Sequence, residues 1–319
     1  MSKPNKPPQI TSFALTASGE DSAALALRLL GELETKQRHF TIPKGSGELL
    51  CWSSDNMTYK SIPYVEKDDQ KVHRVPNGAQ LQLHIFEEGD WCEQIHLCHE
   101  VFCRPKLSSN IWNSPNSNIK KLHIEWQEIS ISLASFLRSQ SLIEISIHWC
   151  TIPKNSPKIL FNSPQIMKLE CFGCDFIELS PMLNNSLIEL TLSACSLKDQ
   201  QILNFPILTK LKKLSLYENP ISDNSLSYLS SHQNIEVLDL RFTKVVGWNF
   251  AHISKFDKLK ILHLHGSQVQ NTIFSFLAYL PHLRQIDLRE TEITRSGIDS
   301  FHRQRGSLHL PQIEIICDV

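Results

Sequence analysis

Glycine is scarce in this sequence: there are 11 in 319 residues, and Gly45-Ser46-Gly47 is the sole GxG. The chain therefore has no GxGxxG, no GxxxxGK[ST] and no GxSxG, so the usual parts of a dinucleotide loop, a phosphate loop and a nucleophile elbow are missing. It also lacks an excess of either charge. Lys+Arg total 32 against Asp+Glu 33, which removes the basic field that most nucleic-acid or anionic-membrane binders carry. Neither nucleic acid nor membrane is expected as a partner. No window approaches the roughly 20 apolar residues that cross a bilayer. The apolar run 23–30 is broken by Arg28 and lacks a cleavage-like ending, so a secretory signal is not expected. The nine cysteines are odd in number and scattered from Cys51 to Cys317, unlike the dense framework of a small secreted domain. Free thiols and a cytoplasmic setting follow.

What the sequence has is a repeat. The spacing apolar-x-x-apolar-x-apolar recurs, with its clearest copies starting at Leu187, Leu211, Ile235, Leu259 and Leu283, each 24 residues after the last. Upstream, the same frame fits starts at Ile166, Leu142 and Ile119, and loosely Cys92-Ile95-Leu97; downstream, Leu310-Ile313-Ile315 closes the series. Two columns not used to find the frame support it. The ninth position reads Cys150, Cys174, Cys195, Asn219, Thr243, Ser267 and Thr291, all small groups able to hydrogen-bond a turning backbone. The eleventh reads Ile129, Ile152, Phe176, Leu197, Ile221, Val245, Val269 and Ile293, all apolar.

This pattern resembles the leucine-rich repeat family, in its ribonuclease-inhibitor-like and bacterial forms with repeats of about 24 residues. The resemblance implies an α/β leucine-rich repeat solenoid, with a curved parallel β-sheet on the concave side and short helices on the convex side. One unit cannot bury its apolar stripe alone, so stacked neighbours share a continuous core. Residues 91–319 are expected to form about ten repeats. Apolar pairs three apart on the outer leg, Leu226/Leu229, Phe250/Ile253, Phe274/Leu277 and Ile298/Phe301, suit short helices facing inward. Asp223 and Thr294 are expected near helix starts, and the 21-residue repeat from Ile166, with Pro181, should have a shortened outer leg. Residues 1–20 read as a disordered tail. Residues 21–90 read as a helix (21–34) and strands (48–52 and 79–85) that cap the first repeat, or alternatively as an independent functional domain.

Cys171-Phe172-Gly173-Cys174 is a CxxC, but the two thiols fall in the sixth and ninth columns, so structural roles explain them. The run 91–99 carries cysteine and histidine, yet only His96, Cys98 and a neighbour such as His123 face one side, too few for a closed zinc site. No metal and no cofactor are expected.

Alternation along a strand sends positions three, five and seven out of the sheet. This sets Asp239, His263 and Asp287 in one row and Arg241, His265 and Arg289 in the next, with Tyr217 beside them. Such a checkerboard is either a solvated face of weak pairs or an interaction surface, since Arg and Tyr dominate binding sites. The eighth position places Trp126 and Trp149 in adjacent repeats, with Phe172 near, as an aromatic rim that is a binding anchor or a contact with the N-terminal region. In leucine-rich repeats generally the concave sheet is a recognition surface. The expected function is therefore a non-enzymatic protein-protein interaction scaffold with a protein partner. Competing readings are a substrate-recognition adaptor whose N-terminal region recruits a ubiquitin ligase or similar machinery, and an enzyme with its site in residues 1–90.

Overall fold

The computed structural model describes residues 37–43, 45, 47–53, 58–62, 64–67, 70–76, 80–85, 100–103, 119–129, 142–152, 165–176 and 186–319. The expected tail, the helix at 21–34, the strand at 92–97 and the outer leg with Pro181 lie outside these residues. The chain divides into two compact units, Met1–His123 and Ile124–Val319.

The described part of the first unit is built from short strands: β1 (Gln37–Pro43), β2 (Gly47–Ser53), β3 (Thr58–Ser61), β4 (Tyr64–Lys67), β5 (Gln70–Pro76), β6 (Leu81–Ile85) and β7 (Glu100–Cys103). β5 pairs antiparallel with β1 and β4. β2 pairs antiparallel with β3 and β6, and β6 runs parallel to β7. The strands expected at 48–52 and 79–85 are β2 and β6. The alternating Leu81, Leu83 and Ile85 are fully buried, as a strand with one face on a core requires.

The division between the units falls inside β8 (Lys121–Glu125). Beyond it come β9 (Glu144–His148), β10 (Thr151–Ile152), β11 (Lys168–Phe172), β12 (Asp175–Phe176), β13 (Glu189–Ser193), α1 (Asp199–Leu203), β14 (Lys213–Ser215), α2 (Asn224–Leu229), β15 (Val237–Asp239), β16 (Ile261–His263), α3 (Phe274–Leu277), β17 (Gln285–Asp287), α4 (Arg295–Ser307) and β18 (Glu314–Ile316). Two 3₁₀ turns, Phe250–Lys255 and Asn271–Ile273, complete the outer legs.

β9, β11 and β13 to β18 form one parallel ladder in chain order. Equal repeat positions stand side by side: Leu169 faces Ile145 and Leu190, and Leu238 faces Leu214 and Leu262. The first, fourth and sixth positions, for example Ile235, Leu238 and Leu240, are fully buried, as are Leu226, Leu229, Phe250 and Ile253 on the outer legs. Each such side chain contributes roughly 1.5–3 kcal/mol by leaving water. Strands in register, a buried eleventh column and short helical outer legs make the second unit a leucine-rich repeat solenoid. Among the described residues no helix is long and apolar enough to cross a membrane.

The last strand departs from the expected frame. Ile315, not Ile313, stands opposite Ile286, and Ile316 stands opposite Asp287, a shift of two residues. The 13-residue α4 is longer than the other outer legs and consumes the extra chain. Because side chains alternate with a period of two, an even shift leaves Glu314 and Ile316 on the same face.

Candidate functional site

The turn after each strand sets up the face. The eighth position, from Trp126, Trp149, Gly173 and Ala194 to Glu218, Phe242, Gly266 and Glu290, is left-handed throughout, with φ between 51° and 68°. This conformation swings the ninth side chain back under the strand ends, where it bonds the backbone. Cys150 Sγ donates to His148 O (3.3 Å), Cys195 Sγ to Ser193 O (3.1 Å), Thr243 Oγ1 to Leu240 O (2.7 Å) and Ser267 Oγ to Leu264 O (2.6 Å). Asn219 does most, donating to Leu192 O (2.6 Å) and Leu216 O (2.9 Å) and accepting from Cys195 N (3.1 Å) and Leu197 N (2.9 Å).

Burial pushes the thiols of Cys150 and Cys195 up to about 12 and that of Cys174 to about 11, and raises Cys171 well above its ordinary value. Burial thus favours the neutral thiol at all four, and Cys150, Cys174 and Cys195 donate to backbone carbonyls. The CxxC is thus split between a core slot, Cys171, and a turn slot, Cys174.

With the turn fixed, the fifth and seventh positions project from the strand face. Here the structure brings together the residues expected from sequence, and each arginine pairs with the aspartate two residues before it. Arg241 Nε and Nη2 donate to Asp239 Oδ1 (2.9 Å) and Oδ2 (2.7 Å). Arg289 makes the same two-pronged bond to Asp287, at 2.9 and 2.7 Å. Both aspartates are buried, while the arginine side chains remain 37% and 43% exposed. Ser215 Oγ also donates to Asp239 Oδ2 (3.0 Å). The Arg289 guanidinium holds the Asp287 carboxyl below the usual range, and the carboxylates in turn raise both arginines.

His263 lies between the pairs, its Nδ1 3.9 Å from Asp287 Oδ2. Burial pulls its pKa below the ordinary histidine value, so it stays neutral to lower pH than the sequence suggests. His265 Nε2 is 3.4 Å from Glu290 Oε1. An aromatic set extends the patch: the Arg241 guanidinium sits 5.1 Å from the Tyr217 ring centre, Tyr217 meets Phe242 edge-on at 5.7 Å, and Phe242 lies 4.8 Å from His265. Phe242, at the eighth position, was not expected in this patch; its signal in the sequence is the glycine one repeat on, Gly266. A Cβ on Gly266 would sit 2.5 Å from the Phe242 ring, so the ring lies across that glycine.

The aromatic rim is also assembled. Trp126 and Trp149 stack with centroids 5.5 Å apart and an interplanar angle of 11°, and Trp149 meets Phe172 edge-on at 5.0 Å. Trp126 is 66% and Trp149 45% exposed. Trp149 lies over Gly173 as Phe242 lies over Gly266: a Cβ there would meet the indole at 2.3 Å. Beside it, His148 Nε2 is 3.4 Å from Glu170 Oε1, and Ser146 Oγ donates to Glu170 Oε2 (3.2 Å). These contacts hold the Glu170 carboxyl below its ordinary range. Glu125 and His148 offer ligand atoms within 4.8 Å of each other. His96 and Cys98 lie outside the described residues.

The first unit holds a cavity of about 320 Å³ lined by Glu48, Ser61, Tyr64, Lys71 and His73 among others. Its polar groups are engaged: Ser61 donates to Glu48, His73 Nδ1 lies 3.1 Å from Ile62 O, and Lys71 Nζ stands 4.8 Å from the Tyr64 ring centre.

No family model and no curated protein matches the chain. Among solved structures it is similar to an internalin C2 from Listeria monocytogenes, at 18% identity over 66% of this chain and 84% of that one, with a TM-score of 0.47. It is similar also to an internalin F from the same organism (15% identity, 67% and 71% covered, TM-score 0.45). A leucine-rich repeat protein of Leptospira interrogans matches at 17% identity over 65% and 59%, with a TM-score of 0.45.

Proposed function

We propose that the protein is a non-enzymatic scaffold that binds another protein through the strand face of its repeats, centred on Tyr217, Asp239, Arg241, His263, His265, Asp287 and Arg289. The observation that carries this reading is the state of the two arginines. Each is gripped at two points by a buried carboxylate and still presents about two-fifths of its side chain to solvent. Immobilising a long side chain on binding costs roughly 0.5–1.5 kcal/mol. Here much of that freedom is already lost in the unbound protein, so the cations are offered at fixed points beside Tyr217 and Phe242. Arg and Tyr in such settings are the residues that dominate protein interfaces. A reducing compartment suits the scaffold, because oxidation of the ninth-position thiols would remove donors from the turn ladder.

The test is site-specific photo-crosslinking in the native cell, with the crosslinker placed at Tyr217 or His265 and, as a reference, at exposed Tyr228 on the outer leg. The expected result is one protein captured from both face positions, lost when Arg241 and Arg289 are replaced by Ala, and not captured from Tyr228. Capture from Tyr228 alone, or capture indifferent to both arginines, would remove the reading.

A further inference from the structure

We propose that the stacked pair Trp126–Trp149 is a second recognition site, for a cationic side chain carried by a partner: an arginine or lysine in an extended basic segment. It does not depend on the charged face of the later repeats.

The eighth position imposes a left-handed backbone whatever residue stands there, and a residue with a Cβ gives up about 1–2 kcal/mol to adopt it. Glycine would relieve that strain, yet two consecutive repeats carry tryptophan. Their indoles are not drawn into the core; they stack on each other and remain largely exposed, which costs hydrophobic free energy that a polar residue would not. Gly173 adds a second mark, since its missing Cβ is what lets the Trp149 ring lie flat. An exposed indole stack built in this way is a surface made to be covered.

Charge selects the occupant. Between the fifth and tenth positions of the repeats starting at Ile119, Leu142 and Ile166, the fixed charges are Glu125, Glu128, Glu170 and Asp175, without a lysine or arginine. The described lysines of these repeats, Lys120, Lys121 and Lys168, stand at the second and third positions, the opposite end of the strands, and Lys168 is tied to Glu144 at 2.7 Å. Indole faces attract cations through the ring quadrupole, tryptophan most strongly, and the surrounding carboxylates add a field of the same preference. A neutral sugar could stack on the rings but would leave that field uncompensated; a guanidinium or ammonium group answers both.

The probe is a fluorescently labelled, acetylated and amidated peptide of alternating arginine and serine, titrated into the full-length protein and followed by anisotropy. A matched peptide with citrulline for arginine keeps the planar donor group and removes the charge. Saturable binding of the arginine peptide is expected, about tenfold tighter than the citrulline peptide. Trp126→Ala with Trp149→Ala should weaken it about tenfold, and Trp149→Phe less. Glu128→Gln with Asp175→Asn, at exposed positions, should weaken it several-fold and keeps the idea falsifiable if the tryptophan variants fold poorly. Arg241→Ala with Arg289→Ala should leave it unchanged while abolishing the crosslinks described above, so the two readings fail separately. The proposal is overturned if the arginine peptide does not bind saturably, if citrulline binds equally well, if the tryptophan and carboxylate variants are both silent, or if a neutral chito- or cello-oligosaccharide displaces the peptide.

Discussion

At the eighth position, backbone strain and side-chain space oppose each other, and the two glycines there are fixed by space. Adding a Cβ at Gly266 would put it 2.5 Å from the Phe242 ring on a backbone at φ +68°. Gly266→Ala is therefore expected to cost about 1–3 kcal/mol in chemical denaturation. Glu218 shares the same backbone, at φ 57°, so Glu218→Gly exchanges strain relief against the entropy of the unfolded chain and should change stability by less than about 1 kcal/mol. If the two substitutions cost the same, contact with the preceding aromatic ring is not what fixes glycine. A pH effect also lives at this scale. The His263 pKa is lowered by burial, so the folded state binds a proton less readily than the unfolded one; its stability contribution is present above about pH 6.5. That contribution is lost as pH falls through the folded value. Asp287, lowered by Arg289, loses its own only at more acid pH, below the ordinary carboxylate range. Stability measured from pH 7.5 to 5 should fall less steeply in His263→Gln than in the parent, and a parallel decline would exclude His263 as the source. The ninth column was legible in sequence because from Cys150 onward it carries only small hydrogen-bonding groups. The left-handed eighth was not, because Trp, Ala, Glu, Phe and Gly share a backbone there without sharing chemistry.

Elements in this array are held by bonds that cross from one repeat to the next. Asp223 stands at the N-cap of α2, as expected, and directs its carboxylate to the backbone N–H groups of Val246 and Gly247 at 2.8 Å each. Asp199 likewise accepts from Ser222 N and Ser222 Oγ at 2.8 and 2.6 Å. Thr294 does cap α4, accepting from Gly297 N at 3.3 Å. Asn219 joins two strand ends through both ends of its amide, and it is buried. Asn219→Ala would strand several backbone groups at once, with an expected loss of about 2–4 kcal/mol. Asn219→Thr, the neighbour's solution, should cost less because a hydroxyl can still reach the Leu216 carbonyl as Thr243 reaches Leu240. Equal losses would mean the ladder acts by volume rather than by hydrogen bonds. The repeats and inward helix pairs were readable from the 24-residue spacing. β1 and β3 to β5 were not, because short antiparallel strands such as Thr58–Ser61 alternate polar residues and carry no apolar run. The two-residue shift of β18 was not legible because it changes neighbours without changing faces.

At the scale of the repeat unit, each layer's core is completed by the layer on either side, and this makes stability a sum of nearest-neighbour interfaces. Leu238 shows the coupling: it is fully buried and stands opposite Leu214 on one side and Leu262 on the other. Leu238→Ala should cost about 2–5 kcal/mol, and the loss should spread to both neighbours. Ending the chain at Gln233 removes β15 to β18 and exposes the core edge of the repeat that starts at Leu211, including Leu214 and Leu216, which are buried in the intact chain. It also discards α4, whose buried Arg305 donates to the carbonyls of Ala278 (3.1 Å) and Leu280 (3.0 Å) at the end of the preceding outer leg. The shortened protein is expected to aggregate or to melt well below the full chain, and hydrogen exchange should show lost protection deepest at Leu211–Leu216 and fading toward β9. Capping should reverse part of this: retaining the chain to Val319 but replacing Arg305 by Met should lower the melting temperature by much less than truncation does. A chain ended at Gln233 that stays soluble, melts at the parent's temperature and keeps its amide protection at β14 would show that the repeats are stable singly and that the array is not cooperative.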